Sequence, residues 1–309
     1  MFLGKRSSGI LDGDVSIFIR SAFSFFIIIL VCVVIQAFYA FTILVRRSQV
    51  NLTQLPFIFI LSTSLTLIVV YIMQIVSFSS FYDVSAAQIS TAISPGPGVV
   101  VIVIQFFQRL ADFLILSSLI SILDYRRMLF KRDTLFMLFR TRRKRIFDVL
   151  TMSLMLLAIL AVTALAARHI GTARSGVVTK SGPAVDALST LRGLENTYVI
   201  IYVAVSLNMV ITTLYQWMQI IKVESFRDET VLVLLRFASP VVILRAGFEI
   251  SIAIISSAKG FNPPFDASVF VFVVTLVDGL SYVTITVVVL CLDGKMAEGI
   301  RQLPEVLSI

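Results

Sequence analysis

One histidine, His169, stands alone in 309 residues, and there are only two cysteines, Cys32 and Cys291. A catalytic zinc site with three histidine ligands cannot be built from one histidine, which removes the seven-helix zinc hydrolases as a class. The cysteines sit in apolar runs at opposite ends of the chain. They imply no extracellular disulfide framework and read as small buried hydrophobes. Charge is scarce as well: Asp, Glu, Lys and Arg make up 14% of the chain, against about 25% in an ordinary soluble domain. Disorder needs low hydrophobicity and high charge, so it is excluded together with the soluble enzyme. No Gly-rich phosphate loop, nucleophile elbow or metal-ligand cluster is present. No enzymatic activity, cofactor or nucleic-acid partner is therefore expected.

Hydrophobic residues are abundant at 58%, with a mean hydropathy of +0.98. Seven long apolar runs cover 21–45, 55–78, 98–123, 146–167, 197–221, 231–256 and 269–292. Each is long enough to cross a ~30 Å hydrocarbon core at 1.5 Å per residue. Backbone polar groups in lipid must be satisfied internally, and the alternation of a membrane barrel is absent, so the runs are predicted as helices. The expected fold is all-α, a bundle of seven transmembrane helices forming one multi-pass domain over 1–309. The first run is too long for a signal peptide and lacks a small-residue cleavage site before Arg46 and Arg47, so it reads as an uncleaved helix. The absence of an internal repeat disfavours an inverted-repeat transporter.

Seven spans put the termini on opposite sides. The segments 46–54, 124–145, 222–230 and 293–309 carry 15 Lys and Arg residues, and those of the other side carry 8. The positive-inside rule then places the N-terminus outside and the C-terminus in the cytosol. The sequon Asn51-Leu-Thr53 would face the cytosol and is expected to be unglycosylated. The runs are long enough to suit a thick bilayer such as the plasma membrane.

Most of the asymmetry comes from one segment. Between 124 and 145 lie Arg126, Arg127, Lys131, Arg132, Arg140, Arg142, Arg143, Lys144 and Arg145, interleaved with Leu and Phe. This pattern predicts an interfacial helix that binds anionic lipid headgroups, or a docking surface for a cytosolic partner. A second interfacial helix is predicted over 294–303, where Met296, Ile300 and Leu303 share a face.

Six charged residues lie inside the runs, away from their ends: Arg109, Asp112, Arg236, Arg245, Glu249 and Asp278. Each costs about 2.5–3.5 kcal/mol at a helix centre when unpaired, so pairing or contact with water is required. Arg236 is near enough to the cytosolic end to snorkel. The others fall in one layer of the central to outer half. Polar residues also form stripes at 100° per residue. Gln105, Gln108, Arg109 and Asp112 share a face of the third run; Asn208, Thr212, Tyr215 and Gln219 share one of the fifth. Arg245, Glu249 and Ser256 share a face of the sixth run, and Thr275, Asp278 and Tyr282 one of the seventh. The third, fifth, sixth and seventh runs are thus expected to surround a polar interior, with the fourth at the periphery. Pro240 is expected to kink the sixth. Arg109 with Asp112, and Arg245 with Glu249, can pair within their own helices. A purely structural network, a pocket for an unidentified polar ligand and a conduction path all remain open. Candidate ligand contacts are Arg109, Asp112, Arg245, Glu249, Asp278, Tyr282 and Asn208.

Seven helices with an outside N-terminus resemble the topology of G-protein-coupled receptors. Asp124-Tyr125-Arg126 is similar to a permuted form of that family's Asp-Arg-Tyr. Asp278-Gly279-Leu280-Ser281-Tyr282 is similar to its Asn/Asp-Pro-x-x-Tyr with Gly in place of Pro. The seventh run has no lysine, which excludes a retinal Schiff base there. Leu244-Arg245-Ala246-Gly247-Phe248-Glu249, followed by Asp278, resembles a charged stretch of fungal seven-helix membrane proteins. These are the lipid-translocating-exporter-like and receptor-like families. The second Arg of that stretch is missing here and the Glu comes early. The resemblance implies a receptor-like or sensor protein, or alternatively a transporter or lipid translocator using the same charges.

Overall fold

A computed structural model describes residues 8–46, 54–83, 96–132, 141–174, 181–221, 228–257 and 265–306. These residues form helices α1 (Ser8–Arg46), α2 (Leu55–Asp83), α3 (Gly96–Arg132), α4 (Thr141–Arg174) and α5 (Ser181–Ile221). Then follow α6 (Glu229–Val233), a π-helical turn (Leu234–Ala238), α7 (Ser239–Ser257) and α8 (Phe265–Val306). The described residues contain no strand. Asn51 and Arg140 lie outside them.

Seven stretches are long and apolar enough to cross a membrane: Ser21–Arg46, Leu55–Ser77, Val99–Arg127, Arg143–His169, Thr190–Ile221, Glu229–Ile255 and Phe272–Asp293. They match the seven predicted runs. The protein is therefore an all-helical, multi-pass membrane protein. Its outward faces are strongly apolar, with Phe38 73% and Ile200 68% exposed. In water such faces would be a liability; against lipid they need no cover.

The helices overrun the predicted boundaries where no breaker stops them. No Pro or Gly occurs between residues 99 and 132, so α3 continues through the basic segment to Arg132. Helix α8 is the exception, running to Val306 through Gly294, Gly299 and Pro304. The two segments predicted as interfacial helices are thus helical as far as they are described, but as continuations of spans.

Asp228 starts the sixth span. Its carboxylate accepts hydrogen bonds from the backbone N–H of Thr230 (2.8 Å) and of Val231 (3.4 Å), which is N-capping. The irregularity expected at Pro240 takes the form of the π turn just before it. Proline supplies no N–H to the carbonyl four residues back, and its ring crowds that carbonyl. The Ser239 N–H instead bonds Leu234 O, five residues back, and its hydroxyl donates to the same oxygen at 3.1 Å. Arg236 is exposed on this turn, in keeping with snorkelling.

Neighbouring spans pack in chain order, and α8 closes the ring against α1. Helix α3 sits inside this ring, touching α2, α4, α5 and α8. Helix α4 packs chiefly on α3 and α5, at the predicted periphery. One buried apolar cluster draws on all seven spans, from Phe26 and Phe57 through Leu116, Met155 and Met209 to Ala246 and Ile285. Gly279 permits the close approach of α1 to α8: a Cβ there would collide with the Ile29 side chain. Cys32 is half-buried and Cys291 exposed, so neither is the fully buried hydrophobe expected; both are free thiols. Each lies on a membrane helix, where a small apolar group is equally at home facing lipid.

Candidate functional site

Arg245 is the centre of a buried ion-pair network. It is 3% exposed, with Asp112 at 4%, Asp278 at 7% and Tyr282 at 1%. One guanidinium nitrogen, Nη2, lies 2.7 Å from Asp112 Oδ1 on α3 and donates to the Tyr282 hydroxyl on α8 at 2.7 Å. The other, Nη1, stands 3.2 Å from Asp278 Oδ1, close enough for an ion pair but off the angle of a hydrogen bond. The guanidinium carbon also lies 4.0 Å from the Tyr282 ring centroid, a cation–π contact. Both carboxylates thus reach Arg245 from other helices. The pairing within one helix expected for Arg245 and Glu249 is the weakest of these contacts, at 4.0 Å. Nη2 has two hydrogens, and both already have nearer acceptors.

Asp112 is well satisfied. Its Oδ1 faces Arg245 and the Tyr282 hydroxyl (3.0 Å), and its Oδ2 accepts from the Tyr198 hydroxyl at 3.1 Å. The single Tyr282 proton is shared between Asp112 and the Gln108 carbonyl at 3.2 Å. Two buried atoms here have no hydrogen-bond partner, Asp278 Oδ1 and Arg245 Nε.

This network floors a cavity of about 290 Å³ between α3, α5, α7 and α8. The whole predicted stripe of α3 lines it: Gln105, Gln108, Arg109 and Asp112. Helix α7 adds Arg245 and Glu249, α8 adds Asp278, and α5 adds Glu195 and Tyr198. Arg109 does not pair with Asp112, as expected from its own helix, but with Glu195 on α5 at 3.4 Å. Its guanidinium also lies 5.2 Å from the Tyr198 ring centroid. Glu195 was not among the candidates, because it lies just before the predicted start of the fifth run at 197. The signal that finds it is helix periodicity: Glu195 and Tyr198 are three residues apart and so share a face.

Asn208 is a correction. It does not reach the cavity. Ten residues along α5 from Tyr198 is about 15 Å of rise, and at that level Asn208 faces α4. Its amide donates to Asp148 at 2.9 Å, and its side-chain oxygen accepts from Lys144. The polar stripe predicted on the fifth run therefore does not line the interior, which α5 meets through Glu195 and Tyr198 instead.

Asn208 belongs to a second polar layer at the other end of the bundle. There Lys144 binds Asp148 at 2.7 Å, and Arg127 stands 3.6 Å from Asp148 and 3.4 Å from Asp124. Arg145 reaches Asp124 at 3.5 Å. Arg126 is buried; it stands 3.7 Å from Asp228 and donates to the Thr230 hydroxyl, joining α3 to the start of α6. Four of the nine basic residues predicted as a headgroup or partner surface thus make ion pairs within the bundle. Arg126 cannot meet headgroups at all. The reason is the extra length of α3, which carries Arg126 inward as part of the span. Arg143 is exposed as predicted. Lys131, Arg132 and Arg142 lie on the helices, their side chains outside the described set. Asp148 was missed because it lies two residues inside an otherwise apolar fourth run.

Comparison with protein-family models, with curated proteins and with solved structures finds no match to this chain. The likeness to fungal seven-helix proteins therefore rests on the seven-span topology and the residues quoted for it. Among the described residues no group of His, Cys, Asp and Glu is placed to hold a metal ion.

Proposed function

We propose that the protein is a receptor-like or sensor membrane protein whose ligand occupies the cavity above Arg245. The observation that carries this reading is an uncharged layer beneath the cavity. Below the Arg245 network lies a layer without charge, built from Leu116, Leu119, Val205, Val242, Ile285 and Val289, all buried, with the buried hydroxyls of Ser118, Ser206 and Thr286 among them. The second ionic layer begins only beyond it. A charged group passing through the bundle would have to cross that layer, whereas a ligand need only reach the cavity. The network also gives ligand binding something to act on, since Arg245 ties α7 to α3 and α8. With the Lys- and Arg-rich end in the cytosol, the cavity lies in the outer half, where Arg109 and Glu195 form its more open rim.

Reconstitution into liposomes tests this. A sensor should give neither sustained sodium, potassium or proton flux nor lipid scrambling above protein-free vesicles. Sustained flux that is lost in Asp278→Asn would overturn the reading in favour of a transporter. A third result would favour a protein without a ligand: Arg245→Ala and Asp278→Ala altering folding yield and nothing else.

A further inference from the structure

The cavity holds more acid than base. Two guanidiniums, Arg109 and Arg245, face four carboxyl groups, Asp112, Glu195, Glu249 and Asp278. Arg245 is largely committed already: Asp112 and Tyr282 take both hydrogens of Nη2, and Asp278 sits against Nη1. Arg109 is held at the rim by Glu195. Glu249 keeps only its 4.0 Å approach to Arg245. Asp278, buried on α8, borders the cavity, and its Oδ1, the oxygen 3.2 Å from Arg245 Nη1, accepts no hydrogen bond. Among the fully buried donors at the site, Arg245 Nε is without a hydrogen bond, and the neutral side-chain amides of Gln105, Gln108 and Asn196 also border the cavity. Two tyrosine rings at the site already carry a cation on their faces, Tyr282 with Arg245 and Tyr198 with Arg109. The surplus of carboxyl groups over guanidiniums sets the wall against an anion and in favour of a cation.

We propose that the cavity binds a small organic cation, a protonated amine, whose ammonium group donates hydrogen bonds to Glu249 and Asp278. This rests on the pocket reading above and names the chemical class of its ligand. The free space of about 290 Å³ is at the small end of ligand pockets, which run from about 300 Å³ upward. A bare metal ion fits poorly, because the carboxyl groups do not converge as metal ligands. An ammonium carried on a few carbons sets its charge against the carboxyl groups and its chain against the apolar wall of Ile252, Ala253 and Val274.

The test uses the full chain in detergent, with n-butylammonium chloride as probe and sodium butyrate and sodium chloride as controls. A ligand that binds the folded state alone raises the unfolding temperature saturably. Butylammonium should give such a rise and the other two salts should not. Glu249→Gln removes one negative charge at nearly constant shape, and should weaken butylammonium binding at least tenfold while the protein still unfolds cooperatively. Asp278→Asn should act in the same direction. Should either variant fail to fold, equilibrium dialysis of radiolabelled butylammonium against the native chain, with and without excess unlabelled butylammonium, decides the point. Saturable binding of butyrate instead would sink the cation proposal and leave the pocket reading standing. No saturable binding of either probe, with Glu249→Gln changing stability alone, would sink both. Equal binding to native chain and Glu249→Gln would place the amine elsewhere and overturn the proposal.

Discussion

The Arg245 network and the ionic layer at the other end of the bundle use the same chemistry to different effect. Both bury Arg against Asp, and both join helices far apart in sequence. Asp112 and Asp124 mark them on α3, twelve residues or about 18 Å apart. At the Arg245 end the carboxyl groups outnumber the cations and border a cavity. At the other end the described cations Arg126, Arg127, Lys144 and Arg145 outnumber Asp124, Asp148 and Asp228 by one. There each carboxylate meets at least one cation within 4 Å. One layer, which borders a cavity of its own of about 330 Å³ at Asp124, Arg145 and Asp148, gives each acid a cation and holds helix ends together. The other is unbalanced at its cavity surface, which is what a binding site requires and what a purely structural contact avoids.

The largest expected effect sits where one cation serves two acids. Arg245→Leu leaves Asp112 and Asp278 facing each other in the bundle without their cation, and should cost about 3–5 kcal/mol. Adding Asp112→Asn and Asp278→Asn to that variant should recover most of the loss. Chemical or thermal unfolding in detergent measures both. Were Arg127→Leu to cost as much as Arg245→Leu, the contrast between the two layers would fail, since Arg127 makes only longer contacts, at 3.4 and 3.6 Å.

Asp228→Ala should come next, at about 2 kcal/mol, because it removes an N-cap worth about 1 kcal/mol together with the acid beside Arg126. Asp228→Asn keeps a capping oxygen and should restore roughly half. Tyr282→Phe deletes a hydroxyl that accepts from Arg245 and donates to Asp112, with the ring left in place. A loss of about 1 kcal/mol is expected, and the same unfolding measurement reads it. Arg145→Ala is the smallest, under about 1 kcal/mol, since Arg145 is largely exposed and its pair with Asp124 is open to solvent or headgroups. That loss should shrink further in high salt; a salt-independent loss would mean the Arg145 pair is more enclosed than its exposure indicates.

How legible the site was depended on which neighbour each residue met. The stripe Gln105, Gln108, Arg109 and Asp112 was readable because residues at these spacings must share a helix face. So was the membership of Arg245, Glu249, Asp278 and Tyr282, since charge inside an apolar run needs an internal partner. Their pairing was not readable. Periodicity offers Arg245 its own Glu249, yet the bundle sets Asp112 and Asp278 closer. Asn208 shows the same limit from the other side: its stripe was real, but a stripe does not say which neighbour it faces. Glu195 and Asp148 escaped because each lies at the edge of an apolar run, where charge is inexpensive and draws no attention.

The amino-acid sequence by itself determined seven membrane helices, because lipid leaves the backbone of a long apolar run no other way to satisfy its hydrogen bonds. It also determined five charged residues that border the cavity, Arg109, Asp112, Arg245, Glu249 and Asp278, since burying an uncompensated charge is too costly to occur by accident. Only the tertiary structure decided how those charges are shared. A pair forms between side chains that meet in space, and here helices α3, α5, α7 and α8 bring together residues as far apart in sequence as Tyr282 and Asp112, 170 positions. That arrangement closes one ionic layer on itself and leaves the other with two acids to spare.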